Sequence, residues 1–141
     1  MDRPTILLIE DDPNEIILTL LEFKRHHLFA DIVVVQNGIE AMRFLLRQGP
    51  YADRPSGNPF LVLLDNRMPL MGGDGVLRFI RQTPALCDMP VVRLCGGPEE
   101  EAFDPRTPSI QKPITVDDVI GAARWLGLHL SNSDSHSELR H

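Results

Sequence analysis

The 141-residue chain predicts an α/β fold, a parallel sheet with helices on both faces. Three observations carry this. Short apolar runs alternate along the chain with segments whose apolar residues recur at helical spacing. The runs are continuous rather than interleaved with polar residues, as strands covered on both faces read. Turn or capping residues follow the runs, as expected where a strand gives way to a helix.

TILLIE (5–10) is the first strand. Asp12 suits an N-cap and Pro13 the first helical position, opening a helix to about Arg25 with Ile16, Ile17, Leu20, Leu21 and Phe23 on its apolar side. DIVVVQ (31–36) is the second strand. Asn37 caps the second helix, with Glu40 as its box-like partner and Gly49 as its stop; Ala41, Met42, Phe44, Leu45 and Leu46 face the core. A Pro- and Gly-rich loop (50–59) leads to the third strand, FLVLL. Gly72-Gly73 reads as a turn needing positive φ, and Val76, Leu77 and Ile80 mark a third helix to about Gln82. PVVRLC (90–95) is the fourth strand and SIQ a short fifth, separated by an irregular stretch (96–108) in which Glu99-Glu100-Glu101 reads as a solvated face or a helix start. Thr115 with Asp117 and Asp118 starts a last helix through Val119, Ile120, Ala123, Trp125 and Leu126. Residues 1–130 form one expected domain and 131–141 a polar, disordered tail.

Fourteen basic against twenty acidic residues, a net charge of −6, argue against nucleic acid as a partner. No run approaches the ~20 apolar residues of a membrane span and no signal peptide is legible, so a cytoplasmic location is expected. Cys87 and Cys95 form neither a disulfide framework nor a paired zinc motif.

In open parallel sheets, ligands bind beyond the carboxyl ends of the strands. The residues there are Glu10, Asp11 and Asp12, then Asp65, then Cys95, Gly96 and Gly97, then Lys112. Neighbouring strands lie ~4.8 Å apart. If the first and third are adjacent, Glu10, Asp11 and Asp65 share one pocket, and their repulsion calls for protonation or a cation. Clustered carboxylates with a carbonyl and water suit Mg²⁺. With Mg²⁺ and the Lys112 ammonium opposite the three acids, the pocket is near neutral and can receive a phosphoryl group on a carboxylate nucleophile. Each residue has a plainer role open to it: helix cap, turn residue, loop lysine. Their shared position at strand ends of one sheet favours the chemical role. Neither a P-loop nor a GxGxxG fingerprint is present.

LLIEDDP, LLDNRMPLMGG and QKP, in this order, resemble the receiver domain of two-component response regulators. The resemblance runs from Thr5 to about Leu130 and implies a flavodoxin-like five-stranded sheet of order 2-1-3-4-5. It implies that Asp65 accepts phosphate from a phosphohistidine of a sensor histidine kinase. It further implies that Asp11, Asp65 and the carbonyl of Arg67 bind Mg²⁺, that Glu10 acts through a metal-bound water, and that Lys112 pairs with the acid and then the phosphoryl group. The longer loop in FLLRQGPYADRPSGNPFLVLLDN is similar to that of single-domain receivers that partner bacterial phytochromes, making a bacteriophytochrome the candidate kinase and a stand-alone receiver the expected form. For a homodimer, the last helix with Trp125 is the candidate surface.

The chain departs from the family at four places, one of them Gly72, which stands where an acid usually precedes the second turn glycine. Cys95 holds the switch position usually occupied by Thr or Ser, Ser109 replaces the usual aromatic, and the segment from Cys95 to Lys112 is short enough for the fourth helix to be shortened or missing. These departures sustain a competing expectation, a degenerate receiver acting as a phosphate-independent binding or dimerisation module. A haloacid-dehalogenase-type phosphatase is disfavoured, since Arg67 stands where it needs a second acid.

Overall fold

A computed structural model describes residues 3–55, 57–68, 71–97 and 104–132. The elements in chain order are β1 (Thr5–Ile9), α1 (Pro13–Arg25), β2 (Asp31–Val35), α2 (Gly38–Leu46), β3 (Leu61–Asp65), α3 (Gly72–Gln82), β4 (Val91–Cys95), β5 (Ser109–Gln111) and α4 (Val116–Trp125). All strand pairs are parallel and the order is β2-β1-β3-β4-β5, the flavodoxin-like topology.

The continuous apolar runs are explained by burial on both faces. Ile6, Leu8, Leu63, Val92 and Leu94 pack with Phe23 of α1 and Val116, Val119 and Ala123 of α4. Their neighbours Leu7, Ile9, Val62, Leu64 and Val91 point the other way, onto Ala41, Phe44 and Leu45 of α2 and Val76, Leu77 and Ile80 of α3. Register levels the strand ends: Ile9 pairs with Leu64, Asp65 with Leu94 and Cys95 with Gln111. The residues that follow therefore emerge along one edge.

The two predicted N-caps, Asp12 and Asn37, are present, and Thr115, expected to start the last helix, caps it. Asp12 accepts from Asn14 N (2.9 Å), Asn37 from Glu40 N (2.8 Å) and Thr115 from Asp118 N (3.1 Å). The reciprocal half of the expected capping box is replaced, because the Glu40 carboxylate takes Arg43 and the Tyr51 hydroxyl instead. Nor does Gly49 stop α2. Arg47 does, in the left-handed region at φ 56. Its guanidinium donates twice to the Arg54 carbonyl (3.2 and 2.9 Å), while Arg54 donates to the Phe44 carbonyl (2.7 Å) and lies over the Phe44 ring. Two arginines thus close the helix where a glycine was expected.

On α1 the buried stripe is Ile16, Thr19 and Phe23, at helical spacing. Ile17 and Leu21, expected in the core, are 55% and 50% exposed beside Leu18 at 58%. The helix is apolar on more than one face, and the sheet takes only one. Leu46 and Trp125 likewise point outward, Trp125 at 62% exposure. Gly72 has the expected positive φ of 71, but α3 already begins there, and Gly73 lies inside the helix.

Among the described residues no helix stands between β4 and β5, in keeping with the predicted shortened or missing fourth helix; residues 98–103, with the expected Glu99-Glu100-Glu101 face, lie outside the described residues, as does the tail from 133. The described part of this connection is held from beneath. Arg81 Nε of α3 donates to Asp104 Oδ2 (2.8 Å), its other nitrogens reach the Met89 carbonyl (2.8 Å) and Thr107 Oγ1 (3.1 Å), and the Thr107 hydroxyl donates to Asp104 (3.0 Å).

Burial opposes ionisation of Asp104, yet the Arg81, Arg106 and Thr107 hydrogen bonds outweigh it and take its pKa from 3.8 to about 2. A depressed carboxylate contributes stability above its unfolded pKa and loses it as pH falls through the folded one, here about 2 kcal/mol between pH ~4 and ~2. Urea unfolding of wild type and Asp104→Asn should therefore show a gap at pH 6 that narrows steadily below pH 4. A gap independent of pH would contradict this role.

Candidate functional site

Three loops meet at the levelled edge. Glu10 follows β1, its N–H bonded to the Val35 carbonyl (3.0 Å), and is 1% exposed. Asp65 closes β3 and is 4% exposed. Half-buried Asp11 joins them, and carboxylate oxygens of all three lie within 4.8 Å of one another. Lys112 arrives from β5, anchored by its N–H to the Cys95 carbonyl (2.9 Å). Its ammonium donates to Glu10 Oε1 (2.9 Å) and Asp65 Oδ1 (3.0 Å). Backbone N–H groups complete the set, Asp12 to Glu10 Oε2 and Arg67 to Asp65 Oδ1, both at 3.3 Å.

The resulting cleft, about 240 Å³, is lined by Glu10, Asp11, Asp12, Glu15, Asp65, Arg67, Gly96 and Lys112. A larger groove of about 540 Å³ lies beside Arg3, Phe29 and His129; none of the clustered acids lines it. Charge chemistry, not size, singles out the smaller cleft. Of the pair at the end of β4, Gly96 lines it, while Cys95 is buried at 1% exposure.

Burial and neighbouring groups show in the titration of Glu10. Burial first, then hydrogen bonding to Asp65, push Glu10 up to about 7 against the opposing pull of Lys112. Burial works against the Lys112 ammonium, but its bonds to Glu10 and Asp65 prevail and raise its pKa. A cleft in which three carboxylates offer hard oxygen donors, open to solvent, fits a divalent cation.

Gly73 explains why α3 can start so close to this cleft. A Cβ there would stand 2.7 Å from the Asp65 carbonyl oxygen and 2.8 Å from Asn66 Cα. Sequence reasoning missed two participants. Arg93, in the middle of β4, is 1% exposed, and its Nε donates to Asn66 Oδ1 (3.0 Å), beside Asp65. The available signal was a charge inside an otherwise apolar run, VVRLC.

Comparison with known proteins places this arrangement. The bacteriophytochrome response regulator AtBRR superposes with a TM-score of 0.86 at 31% identity, covering 93% of this chain and 97% of that one. The chain belongs to the response regulator receiver family. Bacteriophytochrome response regulator RtBRR is similar, at TM-score 0.83 and 31% identity over 92% of this chain and 81% of that one. Response regulator Rcp1 of Synechocystis sp. is 35% identical over 96 residues, 68% of this chain; the match spans 64% of Rcp1's length. A structure of Rcp1 in its Mn²⁺-bound form superposes at TM-score 0.59 and 30% identity, over 89% of this chain and 76% of that one. No protein-family model matches the chain. No described helix is long and apolar enough to cross a membrane.

Removing the ammonium leaves buried acids facing one another. Lys112→Met should lower the stability of the metal-free protein by about 3 kcal/mol, the scale of a broken buried ion pair. Excess Mg²⁺ should restore much of it, since a ligand that binds only the folded state stabilises it. Urea unfolding in chelator and in Mg²⁺ checks this; an equal loss in both would contradict the charge balance described.

Proposed function

We propose that the chain is a phosphoacceptor of a two-component phosphorelay, taking a phosphoryl group onto Asp65 from a phosphohistidine of a sensor histidine kinase. The observation that carries this is the Lys112 ammonium bonded at once to Glu10 and Asp65 in a cleft of three carboxylates. Asp11, Asp65 and the Arg67 carbonyl would hold Mg²⁺, with Glu10 acting through a bound water. The cation, when bound, offsets the acids and the charge of the incoming phosphoryl oxygens.

An Asp65 carboxylate oxygen attacks phosphorus as the P–N bond to the donor imidazole breaks, and the imidazole nitrogen leaves with the bond's electron pair. Lys112 keeps one hydrogen bond to Glu10 and turns the other from Asp65 to a phosphoryl oxygen. Gly96, lining the cleft, offers a backbone N–H to the same group. Hydrolysis later returns Asp65 to the carboxylate, so the chain catalyses both its loading and its unloading. Cys95, with a thiol that donates only weakly, makes a poorer hydroxyl substitute at the switch position.

Exposed Ile17, Leu18 and Leu21 form an apolar face on α1, and Glu15 of that helix lines the cleft. This face suits the docking of the phosphodonor, for which the bacteriophytochrome regulators among the structural relatives favour a bacteriophytochrome. α4, with exposed Trp125, is the face proposed for a second copy. A cytoplasmic site of action goes with this reading.

With Mg²⁺ and acetyl phosphate, intact mass should show one phosphate-sized adduct, absent in Asp65→Asn. Leu18→Glu should keep this labelling while losing about tenfold in transfer from the kinase, the scale of one interface anchor. No adduct on wild type would overturn the reading and leave the phosphate-independent binding module in its place.

A further inference from the structure

The buried guanidinium of Arg93 is the charge that the phosphoacceptor chemistry above does not use. It stands in β4, one strand from β3, in register with Leu64, the residue before Asp65. Its side chain leaves the sheet plane with Leu64 and runs up to the loop that follows Asp65. There it meets Asn66 Oδ1 through Nε and a terminal nitrogen, and Asp74 of the first turn of α3 at 3.6 Å. Asn66 is held on its backbone too: its N–H donates to the Leu94 carbonyl (3.0 Å) and its carbonyl accepts from Gly73 N (3.3 Å). The next residue, Arg67, donates its N–H to Asp65 Oδ1, and its carbonyl is the expected cation ligand.

We infer that Arg93 is a positioning residue of the Asp65 site, acting through Asn66. It holds the Asn66 side chain from below, so that the next residue, Arg67, presents its N–H to Asp65 and its own carbonyl to the cation. Asp74 ties the start of α3 to the same guanidinium, so the loop and the helix move as one unit. Burying a charge costs more than packing an apolar side chain of similar volume there would. A strand whose only task was to fill the core would do as well with methionine. The cost is recovered as orientation of a ligand-bearing loop, as outer partners of a metal site do. This inference rests on the phosphoacceptor reading, since that reading gives the Arg67 carbonyl its role.

The test compares wild type, Arg93→Met and Asn66→Ala by calorimetric titration with Mg²⁺ and by the lifetime of the adduct formed with acetyl phosphate, with thermal unfolding alongside. Arg93→Met should melt close to wild type and Asn66→Ala lower, since it takes an acceptor from a buried guanidinium; both should bind Mg²⁺ about tenfold more weakly, with an altered adduct lifetime. The double variant should lose little more than either alone, because the two act on one contact. Arg93→Lys should recover part of the affinity. Should Arg93→Met fail to fold, Asn66→Ala decides alone. If wild type binds Mg²⁺ and takes up phosphate while Asn66→Ala matches it within twofold, Arg93 does not act through Asn66 and this inference falls by itself. A wild type that neither binds Mg²⁺ nor forms the adduct removes the phosphoacceptor reading, and the inference with it.

Discussion

The ammonium of Lys112, shared between Glu10 and Asp65, is the contact on which the rest of the site depends. Without a cation, nothing would offset the charge of two buried carboxylates with a third beside them. The lysine can reach both because the third and fifth strands are separated only by β4, and because its own N–H is fixed to Cys95 of that strand. It also suits an exchange. A compact point charge on a flexible stem can leave one acid for a new anion while keeping the other.

That contact needs the strand ends to be level, and the levelling comes from ordinary packing. Alternate residues of each strand fill two separate cores, so a one-residue slip would swap every side chain between faces. Register is therefore set by Leu7, Leu8, Leu63 and Leu64 far more than by the acids themselves. The acids are carried to the edge by a sheet that has no freedom to misplace them. Gly73 extends the same logic to α3, whose first turn can lie against the Asp65 carbonyl only without a side chain.

The strands, the caps at Asp12, Asn37 and Thr115, and the cluster of Glu10, Asp11, Asp65 and Lys112 were all legible in the sequence. Each rests on a short-range rule: apolar runs bury, small polar residues cap, and strand ends gather at one edge. What was not legible depends on partners distant in the chain. On α1, apolar residues cover more than one face, and periodicity alone could not tell that Thr19 rather than Ile17 turns inward. Arg47 ends α2 in a conformation that costs a non-glycine residue about 1 kcal/mol, offset by bonds to Arg54 across a loop. Arg93 looked like an interruption in a strand, because its partners Asn66 and Asp74 become neighbours only when β3 and β4 pair.

The departures from the usual receiver pattern now have a setting. Where the family places a hydroxyl and an aromatic, this chain has buried Cys95 and exposed Ser109, while the described part of the β4–β5 connection is pinned to α3 by Arg81 and Asp104. Among the described residues, contacts lead from the loop after Asp65 through Asn66 and Arg93 to Asp74 of α3. A crystal structure with Mg²⁺ and beryllofluoride tests the central claim most directly. The account predicts the fluoride complex on Asp65, the cation held by Asp11, Asp65 and the Arg67 carbonyl, and Lys112 turned onto a fluoride. A cation or fluoride complex found away from these residues, in a cleft otherwise unchanged, would contradict it.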